Sequence, residues 1–271
     1  MKQAMELVEA HGFEAVHSIV DSMWLRKPES TPEEYEQVCE KLRSKLDLPI
    51  SFEGRYKWIV FLNSKVDRQT AVLNRYYGVF EDGTLKVRGI ELRKHDTPRI
   101  VEQCQDDMLE VLAKAANTQE FHELVPEALK VLMRHVSRVR QEKIPIEDLI
   151  VVKGLSKNPR EYTNLVPQAI AARQVQTGGG SVHAGQSVSY VLTLDRSGIE
   201  DNRASPSQFV DENTPYDKSW YEDLLVASAA NLLMPLGLGK EQLKHLLYTE
   251  TQLLDNHKTK RLEPSTQMLK M

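Results

Sequence analysis

Cysteine and long apolar runs are scarce in this 271-residue sequence. The two cysteines, Cys39 and Cys104, lack the spacing of a metal site, and each falls on the apolar face of a predicted helix. We therefore expect buried thiols in a reducing cytoplasm rather than a disulfide or a nucleophile. No apolar run approaches the ~18 residues of a membrane span, and no secretory signal is recognisable, so no membrane partner is expected. The histidines show no paired spacing, which argues against structural zinc.

A global excess of positive charge is also absent. The net charge is −4 at pH 7, and a content of 41% apolar and 27% charged residues is ordinary for a globular chain. Binding of a polyanion would thus need a local basic patch. Residues 130–175 supply one, with nine Lys or Arg against four Asp or Glu, and it is either a solvated helix face or a set of phosphate contacts. Its cations are Lys130, Arg134, Arg138, Arg140, Lys143, Lys153, Lys157, Arg160 and Arg173.

The first third of the chain reads as helices that support an antiparallel sheet. A helical pattern ends at Gly12, and Thr31-Pro32 with Glu34 forms a capping box that starts a helix reaching about residue 46. Apolar residues then recur with the two-residue period of β-strands, and Glu81-Asp82-Gly83 is predicted to be a hairpin turn. The predicted strands are residues 56–62, 71–80 and 85–92.

The rest of the chain is predicted to be mostly helical. Thr97-Pro98 starts a helix, and Gly178-Gly179-Gly180 reads as a turn or linker because no phosphate-loop residues follow it. Further helices are predicted near residues 119–141, 166–174, 216–234 and 240–248, with strands at residues 149–153 and 187–194. The fold class expected from the whole pattern is α+β.

Residues 13–25 predict a strand, a tight turn and a second strand, with Asp21 at the turn. A carboxylate in this position is held out of the sheet on a rigid support. Asp21 is therefore the first candidate for catalysis or for binding a metal ion, and the alternative is an aspartate that caps the turn.

Two motifs in the first third of the chain resemble those of family B DNA polymerases. The residues His17-Ser18-Ile19-Val20-Asp21-Ser22 occupy the positions of the family's metal-binding hairpin, Tyr-Gly-Asp-Thr-Asp-Ser, with Ile19 at the first aspartate and Asp21 at the second. Asn74-Arg75-Tyr76, followed by Gly89-Ile90-Glu91, is similar to the family's hairpin that touches the primer–template backbone, with Asn74 in place of a lysine.

The remaining motifs resemble the family's thumb in order and spacing. They are residues 149–162, 167–173, the strand start Gly185-Gln186-Ser187-Val188-Ser189-Tyr190, and the helix start Tyr216-Asp217-Lys218-Ser219-Trp220-Tyr221. The resemblance implies an antiparallel palm-type sheet with supporting helices in residues 1–96, followed by a thumb in residues 97–271. It implies Asp21 as a catalytic ligand of Mg²⁺ in an assembled complex. It also implies DNA contacts from Asn74, Arg75, Tyr76, Arg138, Lys153, Ser156, Lys157 and Tyr162.

The same resemblance leaves two functions open. In this family the exonuclease, the fingers and the other metal-binding aspartate lie upstream of the hairpin, so we expect that the chain cannot polymerise alone. It is either the C-terminal subunit of a split DNA-directed DNA polymerase, or a catalytically inactive descendant that binds DNA. Asp21 favours the first function, and Ile19, Val20 and Asn74 favour the second. An α+β protein with no DNA role is the third alternative.

The expected partners are primer–template DNA and a large polymerase subunit that carries the exonuclease, the fingers and the remaining palm. Trp24 and an uncovered sheet edge are candidates for docking that subunit. The basic tail from Asp255 is a candidate contact for DNA or a sliding clamp, although residues 267–271 lack the aromatic pair of a clamp-binding peptide. The expected location is the nucleoid in the cytoplasm.

Overall fold

The computed structural model of the chain describes residues 1–64, 71–194 and 202–249. The chain divides into two compact units, the first formed by residues 1–89 and 112–124 and the second by residues 90–111 and the chain from Val125. Each unit combines helices with antiparallel strands, so the predicted α+β fold is confirmed. The division into a palm of residues 1–96 and a thumb of residues 97–271 stays a prediction. Within the described residues, no helix has both the length and the apolar character needed to cross a bilayer.

The first unit contains two antiparallel sheets, one of two strands and one of three. In chain order its elements are α1 (Lys2–Ala10), β1 (Glu14–Ile19), β2 (Ser22–Arg26), α2 (Pro32–Leu46), β3 (Tyr56–Asn63), β4 (Ala71–Phe80) and β5 (Leu85–Arg88). The predicted capping box of α2 is present, with the Thr31 backbone N–H donating to Glu34 Oε2 at 3.0 Å. A core that includes Leu7, Val8 and Val38 joins α1 to α2.

The strand β5 is shorter than predicted because Gly89 ends it. Gly89 has a φ of +66°, and a Cβ atom there would lie 2.3 Å from the Asn74 carbonyl oxygen. Only glycine combines this left-handed backbone with so close a contact. A 3₁₀ turn, Glu91–Arg93, follows in the second unit.

The three-stranded sheet of β3, β4 and β5 is covered on both faces within the first unit. On one face, Trp58 packs against Tyr77 and Phe121, and its indole N–H donates to the Ala115 carbonyl at 3.1 Å. Trp58 is thus a core residue of the first unit. Because side chains alternate along a strand, Tyr76 points to the other face, where the hairpin of β1 and β2 packs.

The second unit contains a three-stranded antiparallel sheet in the order β6-β7-β8 and several helices. The longer elements are α3 (Arg99–Leu112), α4 (Thr118–Arg140), β6 (Val151–Gly154), α5 (Pro167–Thr177), β7 (Ser187–Leu192), β8 (Ala204–Pro206) and α6 (Lys218–Leu233), and residues 240–249 are helical. Short 3₁₀ turns are Ile146–Leu149, Pro159–Glu161, Ser207–Phe209 and Met234–Leu236. The end of α3 and the start of α4 belong to the first unit.

Two tyrosines, one just before α6 and one in its first turn, connect elements of the second unit. Tyr221 is fully buried, and its hydroxyl donates to the Leu149 carbonyl at 2.7 Å and accepts from the Leu192 backbone N–H at 3.0 Å. The Tyr216 hydroxyl donates to the Val139 carbonyl at 2.9 Å. Asp217 caps α6 by accepting the Trp220 backbone N–H at 3.0 Å. The motif of residues 216–221 therefore stabilises the packing of the second unit.

Candidate nucleic-acid interface

Asp21 lies at the tip of the first hairpin. The register pairs Ile19 with Ser22, which leaves Val20 and Asp21 as a two-residue turn between β1 and β2. The Asp21 carboxylate is exposed and accepts one hydrogen bond from Ser22 Oγ at 3.3 Å. Val20 is 95% exposed, so the tip presents one aliphatic side chain and one carboxylate to solvent. The catalytic role of Asp21 stays a prediction.

The described residues do not build a magnesium site around Asp21. Across residues 1–64, 71–194 and 202–249, no group of three or more His, Cys, Asp or Glu is arranged to hold a metal ion. Glu14, at the far end of the hairpin, is paired with Arg26 at 2.5 Å. Mg²⁺ requires near-octahedral oxygen ligands, and two-metal chemistry requires more than one carboxylate. Asp21 alone therefore supplies a single ligand.

Aromatic side chains hold the hairpin against β3 and β4. The Trp24 ring lies 5.1 Å from that of Tyr76 and 5.7 Å from that of Phe61, and His17 lies 4.4 Å from Phe61. Burial in this cluster raises the pKa of Tyr56 to about 12. Tyr76, a predicted DNA contact, is only 5% exposed. Tyr76 therefore supports the hairpin, and little of its surface is left for contact with a ligand.

The other two residues predicted from the same motif lie beside the end of β5. Asn74 is exposed, and Arg75 is half-buried with its Nε donating to the Gly89 carbonyl at 3.0 Å. Arg75 is thus anchored to backbone, although the rest of its guanidinium remains open to further partners. Asn74 and Arg75 are consecutive in the chain, and Gly89 lies against both of them.

In the second unit, three predicted DNA contacts come together in the loop that follows β6. The Ser156 backbone N–H donates to the Tyr162 hydroxyl at 2.9 Å, and the two hydroxyl oxygens are 3.3 Å apart. Hydrogen bonding from Ser156 lowers the pKa of Tyr162. Lys157, between them, is exposed. One short loop therefore carries hydroxyl groups and an ammonium group, which are among the groups that contact phosphate in nucleic-acid complexes.

The same loop, residues 155–162, is braced by hydrogen bonds from three directions. Asn158 and Glu161 form a capping box around the turn Pro159–Glu161. Arg173 on α5 donates to the carbonyls of Pro159 at 3.0 Å and Tyr162 at 3.1 Å. The Ala184 backbone N–H donates to Asn158 Oδ1 at 3.1 Å. The loop therefore holds Lys157 and its neighbour Arg160 on a rigid support.

Four of the nine predicted basic-patch residues are engaged within the protein. Lys130 pairs with Glu127 at 2.8 Å, Arg140 binds both carboxylate oxygens of Glu222 at 2.8 and 2.6 Å, and Lys153 pairs with Asp96. Arg173 donates to the carbonyls that brace the loop. Among the described residues, the others have no carboxylate oxygen within 4.0 Å. These unpaired cations are Arg134, Arg138, Lys143, Lys157 and Arg160.

The sequence pattern missed the roles of Asn158 and Arg173 in bracing the loop of residues 155–162. The signal for the first was available, because Asn158-Pro159-Arg160-Glu161 has the spacing of a capping box with proline at the first turn position. The contacts of Arg173 carry no local signal, since its partners Pro159 and Tyr162 lie more than ten positions away and accept through backbone carbonyls.

Comparison with known proteins identifies the family of this chain. The sequence model described as DNA polymerase family B matches residues 25–236, beginning just after the turn that carries Asp21. A DNA polymerase of Archaeoglobus fulgidus is 25% identical over 260 residues, which cover 90% of this chain and 31% of that protein. A DNA polymerase of Thermococcus kodakarensis is 24% identical over 248 residues, covering 89% of this chain and 14% of that protein.

A solved structure gives the same result for the fold. The family B DNA polymerase from the hyperthermophilic archaeon Pyrobaculum calidifontis superposes with a TM-score of 0.61 at 22% identity, over 85% of this chain and 28% of that chain. The chain thus spans less than a third of the length of these polymerases. Because the family match takes in most of the sequence, from β2 to the turn after α6, the chain belongs to DNA polymerase family B.

Proposed function

We propose that the chain binds primer–template DNA through the loop of residues 155–162 in its second unit. The observation that carries this proposal is the pair of exposed cations, Lys157 and Arg160, on a loop fixed by Asn158 and Arg173. Among the described residues, no carboxylate oxygen lies within 4.0 Å of either cation. A rigid loop positions charge without a large entropy loss on binding. Contacts of this kind fix a protein on the phosphate backbone and do not read sequence.

The second part of the proposal concerns the rest of the polymerase. The chain matches 31% of the Archaeoglobus fulgidus polymerase. In this proposal, a large subunit supplies the exonuclease, the fingers and the remaining palm. In this scheme residues 1–96 complete the palm, residues 97–271 form the thumb, and the assembly acts at the nucleoid. Family B polymerases generally use divalent metal ions, and Asp21 would contribute one carboxylate to Mg²⁺ in the assembled complex.

A catalytically inactive DNA-binding protein is the second candidate function. It is favoured by the hairpin tip, where Val20 is 95% exposed and Ile19 offers no ligand atom beside Asp21. Both candidates share the DNA contacts of the second unit. They differ in whether Asp21 takes part in nucleotide incorporation.

The test of DNA binding is the salt dependence of affinity for a short primer–template duplex, measured by fluorescence anisotropy. Each phosphate contact contributes about 0.9 to the slope of log affinity against log salt concentration. Lys157→Ala combined with Arg160→Ala should reduce the slope by about two and weaken binding at every salt concentration. The control is Lys41→Ala with Lys45→Ala, which removes two positive charges from α2. Equal slopes for the wild-type protein and the loop variant would contradict the proposed function.

The test between the two candidates is primer extension by the complex purified from cells. Asp21→Asn keeps the size of the side chain and removes its charge. If a large polymerase subunit is recovered and Asp21→Asn abolishes extension, the chain is a catalytic subunit. If extension is unchanged by Asp21→Asn, the hairpin has no catalytic role and the DNA-binding alternative is correct.

A further inference from the structure

We propose that Arg88 is a phosphate-binding residue of the first unit, on the same face of the sheet as the hairpin that carries Asp21. This inference rests on the proposed function, since its ligand is the backbone of the same primer–template DNA. It assigns a contact to a residue at the end of β5 that is not itself one of the motif residues Asn74, Arg75 and Tyr76.

The strand register places Arg88 on the hairpin face. Arg88 lies directly opposite Tyr76 in the antiparallel pair of β4 and β5. Directly opposed residues project from the same face of a sheet. The ring of Tyr76 lies 5.1 Å from that of Trp24 in the hairpin. Arg88 is close enough to Tyr56 for its charge to oppose the rise in the Tyr56 pKa that burial causes. Arg88 therefore stands beside the aromatic cluster that supports the hairpin.

Among the cations of β4 and β5, Arg88 is the one to which the described residues give neither a side-chain hydrogen bond nor an ion pair. Arg75 on β4 donates to the Gly89 carbonyl at 3.0 Å, and Lys86 on β5 pairs with Glu53. Arg88 is exposed and has no carboxylate oxygen within 4.0 Å among the described residues. Its guanidinium can thus give parallel N–H donors to a phosphate without breaking an existing ion pair.

The backbone of Arg88 is fixed from its C-terminal side. Gly89 follows with a φ of +66° and lies so close to Asn74 that a Cβ atom would collide with the Asn74 carbonyl. Tyr76 holds the other side of the pair through the buried cluster. A side chain on so constrained a base loses mainly its own rotamer freedom when it binds, which favours a defined contact over a diffuse attraction.

The experiment measures binding of the full chain to a set of primer–template duplexes, each carrying one uncharged methylphosphonate at a successive backbone position. Arg88→Ala should weaken binding to the unmodified duplex by about tenfold and lower the salt slope by about 0.9. At one backbone position, neutralising the phosphate should weaken binding by the wild-type protein. The same change should not weaken binding by Arg88→Ala any further. Arg88→Lys should keep the slope and lose part of the affinity, because an ammonium group cannot form the paired contact.

Two variants make the outcomes distinguishable. Lys41→Ala removes one exposed charge from α2 and should leave the methylphosphonate profile unchanged. The loop variant with Lys157→Ala and Arg160→Ala should still bind less tightly when the phosphate that contacts Arg88 is neutralised. If Arg88→Ala matches the wild-type protein while the loop variant loses affinity, the inference is wrong and the proposed function stands. If the wild-type protein shows no salt-dependent binding, both are wrong.

Discussion

Removal of the Tyr221 hydroxyl should destabilise the second unit more than removal of any other single phenolic oxygen described above. Tyr221→Phe leaves the ring in place but deletes the acceptor of the Leu192 N–H and the donor to the Leu149 carbonyl. Both backbone groups would remain buried without partners, at about 1–3 kcal/mol each. We therefore expect the free energy of unfolding to fall by about 2–5 kcal/mol.

The matched control is Tyr216→Phe, which deletes a single hydrogen bond to the Val139 carbonyl. It should lower the free energy of unfolding by about 1–2 kcal/mol, roughly half the effect of Tyr221→Phe. Urea unfolding followed by circular dichroism measures both values, and hydrogen exchange at the Leu192 amide reports the local loss directly. If both variants unfold at the same urea concentration, the two-bond bridge at Tyr221 does not stabilise the fold as argued.

Three further predictions concern the other contacts. Gly89→Ala should cost about 2–4 kcal/mol in urea unfolding, because alanine disfavours a positive φ and its Cβ would meet the Asn74 carbonyl; an unchanged midpoint would contradict this. Asp96→Asn should free Lys153 and tighten duplex binding about threefold, as measured by anisotropy, and unchanged or weaker binding would contradict this. Burial lowers the pKa of His135 although Asp107 opposes this, so the unfolded chain takes up the proton more readily. The free energy of unfolding should therefore fall as pH drops below about 6.5, and His135→Gln should reduce that fall.

Local sequence signals predicted most of the elements and the position of the first hairpin. The capping box at Thr31 and the alternation around Asp21 depend on residues only a few positions apart, and the structure contains both features. The strand β8, Ala204–Pro206, was not predicted, because three residues that include a proline are too few to show the alternation of a strand. Its position depends on pairing with β7, which a local pattern cannot contain.

The count of basic residues in the sequence overstated the number of cations that are available to a ligand. Arg140 pairs with a glutamate 82 positions away, and Lys153 pairs with an aspartate 57 positions away. A local count includes these cations as free charge, although tertiary contacts neutralise them. The resemblance to polymerases likewise selected Tyr76 as a DNA contact, whereas packing buries most of its side chain. Burial and pairing are properties of the fold, so the sequence alone could not tell which of the predicted contact residues keep an available side chain.

The return of residues 112–124 to the first unit has a practical consequence for dividing the protein into fragments. A piece ending at residue 96 would lack Phe121, which packs on Trp58, and Ala115, whose carbonyl accepts the Trp58 indole N–H. Such a piece would expose an aromatic surface and an unsatisfied donor, and we expect it to aggregate when expressed alone. Expression should succeed only when the segment through Leu124 is included, so the smallest foldable piece must extend well past the apparent end of the first sheet.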